Sequence, residues 1–531
     1  MTSTDFSHVA HAPVSSNVPA LRRLSAVLSE LNFTFDGMET LLGTEALAAI
    51  TRDQNVPAKV RTEHLLTSPR ASQQHLRLAH CIDFFLLGAP KTEAELNLTF
   101  GHDVAPQLPE LGLAHHQGQQ LRAAVDLRPH AADDGTEIWV ASDLAAHQRP
   151  GVLHADHVLG VGHASRSLAQ FIERTPRARA LDIGTGCGVQ TFHLLAHCEH
   201  VTATDISARA LAFTRFNLLL NAEALNLNPE NFEARVSLRL GSLLEPVAGE
   251  SFDLVISNPP FVITPRTDTE SEEARFTYRD GGLAGDAIVS TLIEQIPALL
   301  TPGGTAQMLG NWEIPATGNA EESDDLAWTN RLKEWVAQSG DTTEAWVIQR
   351  ETLSPEQYAE TWLRDASQNR DPELYERSYR DYPQDFSSRG VEAIGFGMIW
   401  LRRPRNPQLE STARLHRFEE ITYPIQQPIA PFITESVSIF DAVAPLTDSE
   451  LAEQHLVVAE DVTEERHATP GAEHPGVILL RQGAGLRRTV LESTATAGFV
   501  SACDGELNVG QIASALHMLL EWEGEPNAPN C

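Results

Sequence analysis

Short apolar runs alternate with helix-type patterns through the centre of the chain. Strands that alternate with helices imply a parallel sheet with helices packed on both of its faces. The pattern therefore predicts an α/β fold built on a seven-stranded, doubly wound sheet. The seven strand runs are 178–184, 200–206, 236–241, 252–258, 303–312, 345–350 and 394–403.

The pattern changes on either side of this central part. The first 115 or so residues predict helices, because leucines recur there three or four positions apart. Two strand-like runs, 121–127 and 137–144, flank a turn-rich ADDG segment and predict a hairpin. The leucines at helix spacing are Leu21, Leu24, Leu28 and Leu31.

Beyond residue 404 the chain reads as mixed short strands and helices. Near its end, Asn508 and Gln511 resemble a capping box before a helix with an apolar face, which holds Ile512, Leu516 and Leu519. This end resembles a winged-helix-like module. We therefore expect a helical domain over 1–115, a β-hairpin extension over 116–160, the α/β domain over 161–404 and an α+β domain over 405–531.

Composition narrows the classes of function. The 531 residues carry 39 Lys and Arg against 72 Asp and Glu, a net charge of −33. Such a charge argues against broad binding of bare nucleic acid, although a small basic patch remains compatible with it. The five cysteines form no CxxC pair, which indicates a reducing compartment and no structural zinc motif. We expect a cytoplasmic protein with no metal and no membrane partner, since neither an apolar signal region nor a membrane-length apolar run is present.

A glycine-rich segment marks the first candidate binding element. The run Asp182-Ile-Gly-Thr-Gly-Cys-Gly188 follows a predicted strand and opens a helix, where glycines let the backbone approach a ligand. Its spacing is G-x-G-x-G, and Val189 stands where a dinucleotide fingerprint needs its last glycine. Asp205 closes the next strand, and its carboxylate is suited to accept two ribose hydroxyls.

The segment Asn258-Pro-Pro-Phe261 is the most specific signal in the chain. It ends a buried strand, and its two prolines lack N–H groups and restrict the backbone, so the corner is rigid. The Asn258 side-chain oxygen and the Pro259 carbonyl can hold a planar amino group, while Phe261 offers a face for stacking. This arrangement suits methylation of an amide or exocyclic nitrogen, whose lone pair is delocalised.

Both segments resemble a known family. The glycine run resembles motif I of the class I S-adenosylmethionine-dependent methyltransferases, which have a Rossmann-like fold, and the corner resembles their N/D-P-P-Y/F motif. The resemblance implies that S-adenosylmethionine is the cofactor and that Asn258, Pro259, Pro260 and Phe261 form the catalytic corner. The cofactor-binding residues that it implies are Asp182, Gly184, Thr185, Gly186, Gly188, Asp205, Ile206, Ser242 and Asn258.

The resemblance extends towards one subgroup. Residues 278–309 are similar to the segment that follows the motif in HemK/PrmC-type glutamine methyltransferases. Residues 159–172 lack the Pro-Arg-Glu set that precedes motif I in the bacterial enzymes, and Ser242 stands where many members carry an acid. The methyltransferases that act on guanine N2 of ribosomal RNA and on adenine N6 of nucleic acids share the N-P-P-F signature.

Several histidines, a cysteine and an arginine-containing stretch are further candidate sites. His193 and His197 have the spacing of a zinc-binding pair, but Leu194 replaces the glutamate of H-E-x-x-H, which favours a structural role. Cys187 is interpreted as a space-filler, and the arginine-containing stretch 165–179 as a solvated helix face. His154, His157 and His163 lie before the α/β domain and are candidate substrate contacts.

Three functions remain open from the sequence. The first is an S-adenosylmethionine-dependent nitrogen methyltransferase whose substrate is a glutamine amide of a release-factor-like protein. The second is the same chemistry on an exocyclic amine of RNA or DNA. The third, from another class, is a non-catalytic interaction protein whose central domain binds the cofactor or nothing.

Overall fold

A computed structural model describes residues 5–52, 54–132, 135–145, 148–149, 156–265, 283–316, 327–340, 342–366, 368–405 and 414–520. These residues belong to two compact units. Unit 1 takes its residues from 1–169 and 175–405, and unit 2 from 170–174 and 406–531. The finer division into four segments stays a prediction.

The N-terminal part of unit 1 is helical, as predicted. The four leucines at helix spacing are completely buried, so the stripe that predicted α1 forms its core-facing side. The helices are α1 (Val18–Glu30), α2 (Phe35–Leu42), α3 (Thr44–Ile50), α4 (Val56–Thr67), α5 (Gln73–Phe85) and α6 (Glu93–Phe100).

Two hairpins follow, where the sequence predicted one. Strand β1 (Ala114–Gln117) pairs with β2 (Gln120–Ala123), and β3 (Asp126–Ala131) pairs with β4 (Glu137–Ser142). The predicted strand 121–127 was wrong as a single element, because its residues are divided between β2 and β3. Gly118, with φ of 65°, supplies the tight turn that joins β1 to β2.

The sheet of unit 1 contains all seven predicted strands. In space they follow the order β10-β11-β9-β8-β5-β6-β7. Their bounds are β5 (Arg177–Ile183), β6 (Cys198–Asp205), β7 (Val236–Leu240), β8 (Phe252–Ser257), β9 (Leu300–Pro315), β10 (Glu344–Leu353) and β11 (Val391–Arg402).

One strand corrects the expectation of a parallel sheet. Strands β5 to β9 pair in parallel, whereas β11 is antiparallel to both β9 and β10. An apolar run carries no information on strand direction, so the sheet is mixed where the pattern implied a parallel one. The helices of this part are α7 (His163–Phe171), α8 (Val189–Leu195), α9 (Ala208–Leu220), α10 (Ala287–Leu299), α11 (Ala327–Gln338), α12 (Pro355–Asp365) and α13 (Pro372–Ser388).

Helix α9 binds the edge of β4 through two buried asparagines one turn apart. The Asn217 side chain accepts the Ala141 N–H at 2.8 Å and donates to the carbonyls of Ala141 and Cys187, both at 2.9 Å. The Asn221 side chain accepts the Trp139 N–H at 2.8 Å and donates to the Trp139 carbonyl at 2.7 Å. These bonds satisfy buried backbone groups and tie the β3–β4 hairpin to the glycine-rich loop.

Unit 2 is an α+β structure. Its β13, β14 and β15 form an antiparallel sheet, and the capping box between Asn508 and Gln511 at the start of α17 is confirmed. On the apolar face of this helix, Ile512 is buried, whereas 77% of Leu519 is exposed. The winged-helix-like end stays a prediction. The elements are β12 (His416–Glu420), α14 (Ala430–Val443), α15 (Asp448–Ala452), β13 (Val462–His467), β14 (Val477–Gln482), β15 (Thr489–Glu492), α16 (Thr494–Ser501) and α17 (Val509–Leu519).

Candidate active site

A cavity of about 370 Å³ lies where β5, β6, β7 and β8 end. Ligands of open α/β sheets bind at this edge, beyond the carboxyl ends of the strands. The fold brings most of the residues predicted from the two motifs into its wall. Those residues are Gly184, Thr185, Gly186, Asp205, Ile206, Ser242, Asn258, Pro259 and Pro260.

The glycine loop between β5 and α8 needs its glycines. Gly184, Gly186 and Gly188 have φ of 71°, 59° and 93°, a region that other residues rarely adopt. A side chain at Gly186 would meet nothing within 4 Å, so this position leaves space for a ligand. Gly188 does not line the cavity: a Cβ there would lie 3.0 Å from the Phe192 ring, so it permits packing of α8 against the loop.

Asp205 is held in position by the backbone around it. Its Oδ2 accepts the Gly186 N–H at 3.0 Å and its Oδ1 accepts the Ser207 N–H at 2.8 Å. Burial raises the pKa of Asp205 above its ordinary value, and these N–H donors counteract part of that rise. The neighbouring Ile206 is 62% exposed and offers an apolar surface beside the carboxylate. Together they suit a sugar next to a flat apolar ring.

Asp182 lies behind the loop and does not line the cavity. It is 1% exposed, and its Oδ2 accepts the Thr191 hydroxyl at 2.7 Å. Its Oδ1 has no hydrogen-bond partner in the described part of the chain. Burial raises the pKa of Asp182 to about 6. Contact between Asp182 and a cofactor therefore stays a prediction, and the contact seen is with α8.

The raised pKa of Asp182 predicts how stability changes with pH. Protonation of Asp182 stabilises the folded state, because its pKa is higher in the folded than in the unfolded chain. This contribution to the free energy of unfolding is complete below about pH 4 and is lost as the pH rises through about 6. The unfolding free energy of the wild type minus that of Asp182→Asn should fall by on the order of 3 kcal/mol over this interval. Urea unfolding followed by tryptophan fluorescence measures it, since the described tryptophans lie in unit 1. If the difference in unfolding free energy between the wild type and Asp182→Asn stays constant with pH, the raised pKa of Asp182 is contradicted.

The Asn258 corner presents one unused acceptor. The Asn258 Oδ1 is buried and has no hydrogen-bond partner among the described residues. The Pro259 carbonyl accepts the Phe261 N–H at 2.8 Å, which closes a tight turn and leaves this oxygen one further lone pair. A buried acceptor without a donor costs free energy, which a ligand N–H can recover.

Phe261 turns away from the cavity. It does not line the cavity wall, and its ring packs edge-to-face on Trp362 of α12, with 6.3 Å between ring centroids. Helix α12 also holds the backbone beyond the corner. The Tyr358 hydroxyl accepts the Ile263 N–H at 2.7 Å and the Asn311 amide at 2.8 Å. The aromatic residues between β10 and β11 thus form two helices that support the corner, a contact that sequence inspection did not detect.

For the methyltransferase activity that the two motifs imply, removal of the Tyr358 hydroxyl should impair the corner without affecting cofactor binding. In Tyr358→Phe the Ile263 N–H loses its acceptor, so Asn258 is held less firmly, and kcat should fall by roughly 10-fold. The dissociation constant for S-adenosylhomocysteine, measured by calorimetry, should not change. Tyr375→Phe removes a hydroxyl from α13 of the same helical pair and should behave as the wild type. Equal losses in both variants contradict a positioning role for Tyr358.

The cavity wall also includes residues from outside the two motifs, among them three polar side chains. His157 and Ser165 precede β5, and Gln190 lies on α8. Burial lowers the pKa of His157 to about 4, so its ring is neutral near pH 7. Sequence inspection missed Gln190, because the burial of this polar amide among the residues of α8 becomes visible only in the structure.

The remaining candidates have other surroundings. His154 lies outside the described residues, and His163 is exposed. His193 Nε2 lies 3.0 Å from His130 Nε2 in the interior. Cys187 lines the cavity, and burial raises the pKa of its thiol to about 12, which agrees with the space-filling interpretation. Within the described ranges no group of three or more His, Cys, Asp or Glu side chains could hold a metal ion, and no helix there could span a membrane.

Comparison with known families agrees with this geometry. Residues 143–323 match the family model described as the methyltransferase small domain. This part of the chain is thus similar to methyltransferase domains. The resemblance inferred from the motifs is thereby confirmed. Residues 30–124 match a second model, described as a domain of unknown function, DUF7059.

Curated relatives carry names of the same subgroup. The chain is 34% identical over 142 residues to a release factor glutamine methyltransferase of Geobacter sulfurreducens, which covers 25% of this chain and 46% of that protein. It is 31% identical over 131 residues to a ribosomal protein uL3 glutamine methyltransferase of Bradyrhizobium diazoefficiens, covering 24% of this chain and 38% of that protein. The chain thus spans less than half the length of these relatives.

Solved structures match more weakly. A ribosomal protein L11 methylase from Lactobacillus delbrueckii subsp. bulgaricus is 19% identical, with 35% of this chain and 72% of that chain covered and a TM-score of 0.23. The YcgJ protein from Bacillus subtilis is 14% identical, with 46% of this chain and 99% of that chain covered and a TM-score of 0.27.

Proposed function

We propose that the central domain transfers a methyl group from S-adenosylmethionine to the side-chain amide nitrogen of a glutamine in a protein. The observation that carries the proposal is the position of Asn258. Its unused, buried Oδ1 lies in the wall of the same cavity as the glycine loop and Asp205.

The cavity residues fit S-adenosylmethionine. The open space at Gly186 admits a ligand against the backbone, and Asp205 offers a fixed carboxylate for ribose hydroxyls. Ile206 and Ser242 can border the adenine, the first as an apolar surface and the second as a hydrogen-bonding group. Gly188 and Asp182 support the loop from behind, outside the cavity wall.

The corner residues orient the target nitrogen. When bound, the cofactor supplies an activated methyl group: the nitrogen lone pair forms the new N–C bond, the S–C bond breaks, S-adenosylhomocysteine remains, and the nitrogen loses a proton to water. Asn258 Oδ1 accepts one amide hydrogen, and the free lone pair of the Pro259 carbonyl accepts the other. Two fixed acceptors keep the nitrogen facing the methyl group, and Pro260 keeps the turn rigid. No strong base is required, because the proton leaves after the bond forms.

Two observations favour a protein acceptor over nucleic acid. The net charge of −33 is unfavourable for a polyanionic substrate. The relatives that share the central segment are named for a release factor and for ribosomal protein uL3.

Methyl transfer to defined acceptors tests the proposal. The full chain is incubated with S-adenosylmethionine labelled in the methyl group and with a bacterial release factor, ribosomal protein uL3 or ribosomal RNA. We expect label in a protein, resistant to ribonuclease and released by acid hydrolysis as methylamine, which becomes volatile when alkali is added, as an N-methyl amide requires. Label in RNA supports the alternative substrate class. Absence of transfer to any acceptor, with saturable binding of S-adenosylhomocysteine, favours the non-catalytic interpretation.

A further inference from the structure

A buried glutamine in the cavity wall is not explained by the loop or by the corner. Gln190 is the second residue of α8, directly after the glycine loop, and is 4% exposed. Its Nε2 donates to the Ser165 carbonyl at 2.9 Å, and both residues line the cavity. The Oε1 of Gln190 has no hydrogen-bond partner among the described residues.

The contact with Ser165 defines the orientation of this amide. A backbone carbonyl can only accept hydrogen bonds, so the Gln190 nitrogen must face Ser165 and the oxygen must point elsewhere. Buried side-chain oxygens are normally paired, and an unpaired one is costly. A ligand that brings a donor to this end of the cavity removes that cost.

The order of the strands indicates which ligand group reaches Gln190. Asn258 follows β8, the glycine loop follows β5, Asp205 follows β6 and Ser242 lies beyond β7, and these four strands are neighbours in the order β8-β5-β6-β7. With the ribose at Asp205 and the adenine towards Ser242, the amino-acid part of S-adenosylmethionine extends over the loop towards α7 and α8. The remaining donor of that molecule is its α-ammonium group.

We propose that the Gln190 Oε1 accepts a hydrogen bond from the α-ammonium group of the cofactor, which makes Gln190 a residue that discriminates ligands carrying the methionine part. The proposal rests on the proposed function, because it assumes this cofactor. A hydrogen bond to a charged group in a buried site corresponds to about 10- to 100-fold in affinity.

The test compares two ligands by calorimetry on the full chain. S-adenosylhomocysteine carries the amino-acid group, whereas 5′-methylthioadenosine lacks it and keeps the adenosine and sulfur. Gln190→Met removes the acceptor and keeps the side-chain length. Gln190→Glu keeps an acceptor oxygen beside the ligand, with a negative charge that favours an ammonium group, but cannot donate to the Ser165 carbonyl. We expect Gln190→Met to weaken the binding of S-adenosylhomocysteine about 10- to 100-fold, while the affinity for 5′-methylthioadenosine changes less than about threefold. Gln190→Glu should preserve the preference for S-adenosylhomocysteine.

The outcomes are separable. Equal weakening of both ligands in Gln190→Met means that Gln190 only supports the loop, and overturns the inference. A preference that is unchanged in Gln190→Met overturns it as well. If Gln190→Met does not fold, loss of the preference for S-adenosylhomocysteine in Gln190→Glu overturns the inference instead. If the wild type binds neither ligand, the proposed function has failed and the role of Gln190 fails with it.

Discussion

Replacement of Asn258 by alanine is expected to reduce methyl transfer about 100- to 1000-fold, the loss typical of removing one group positioned at the reacting centre. An amide nitrogen is a weak nucleophile, so its rate depends on how firmly the lone pair is held towards the methyl group. In the variant the amide retains only the Pro259 carbonyl, which already accepts the Phe261 N–H. Single-turnover transfer of labelled methyl to the protein acceptor measures the effect.

The same variant separates transfer from cofactor binding. Asn258 lines the cavity, but the bonds of Asp205 to the loop do not involve it. The dissociation constant for S-adenosylhomocysteine should therefore change by less than about threefold, which is below 1 kcal/mol. Asn258→Asp keeps an acceptor oxygen at the corner and should retain more activity than the alanine variant. Transfer by Asn258→Ala at the wild-type rate contradicts the role of the corner.

Replacement of Asp205 by alanine should weaken the binding of S-adenosylhomocysteine about 1000-fold, since two hydrogen bonds from the ribose to a charged acceptor contribute roughly 1.5–3 kcal/mol each. The change also leaves the N–H groups of Gly186 and Ser207 without the acceptor that shapes the loop. Both effects act on cofactor binding, so calorimetric titration is the direct measurement.

A matched carboxylate provides the control for Asp205. Asp253, in β8, accepts the Arg179 N–H at 3.0 Å and the Thr301 hydroxyl at 2.8 Å, and it does not line the cavity. Asp253→Ala removes comparable hydrogen bonds from the same sheet and should bind S-adenosylhomocysteine as the wild type does. Equal affinity losses in both variants indicate general damage to the sheet and contradict a ribose-binding role for Asp205.

The sequence predicted those parts of the fold that depend on periodicity. The seven strands lie where the apolar runs placed them, because a buried strand needs a continuous apolar run whatever its partners. The antiparallel direction of β11 could not be predicted from its apolar run, since strand direction depends on how the chain returns to the sheet. The division of the run 121–127 was missed because the run was treated as one strand, although β2 ends at Ala123 and β3 begins at Asp126.

The candidate site was predictable where motif spacing and backbone geometry coincide. The glycines of the loop and the acid after β6 meet at one sheet edge because parallel neighbours end on the same side. The surroundings of Phe261 were not predictable, since Trp362 reaches it from a helix about one hundred residues away. Gln190 was equally hidden, because its meaning depends on the Ser165 carbonyl, which no local pattern indicates.

A crystal structure of the full chain with S-adenosylhomocysteine is the most direct test of the account. We expect the ligand in the cavity with its ribose hydroxyls about 3 Å from the Asp205 carboxylate and its sulfur facing the Asn258 side chain. A ligand bound elsewhere on the chain, or with its sulfur directed away from Asn258, contradicts the assignment of this cavity as a nitrogen methyltransferase site.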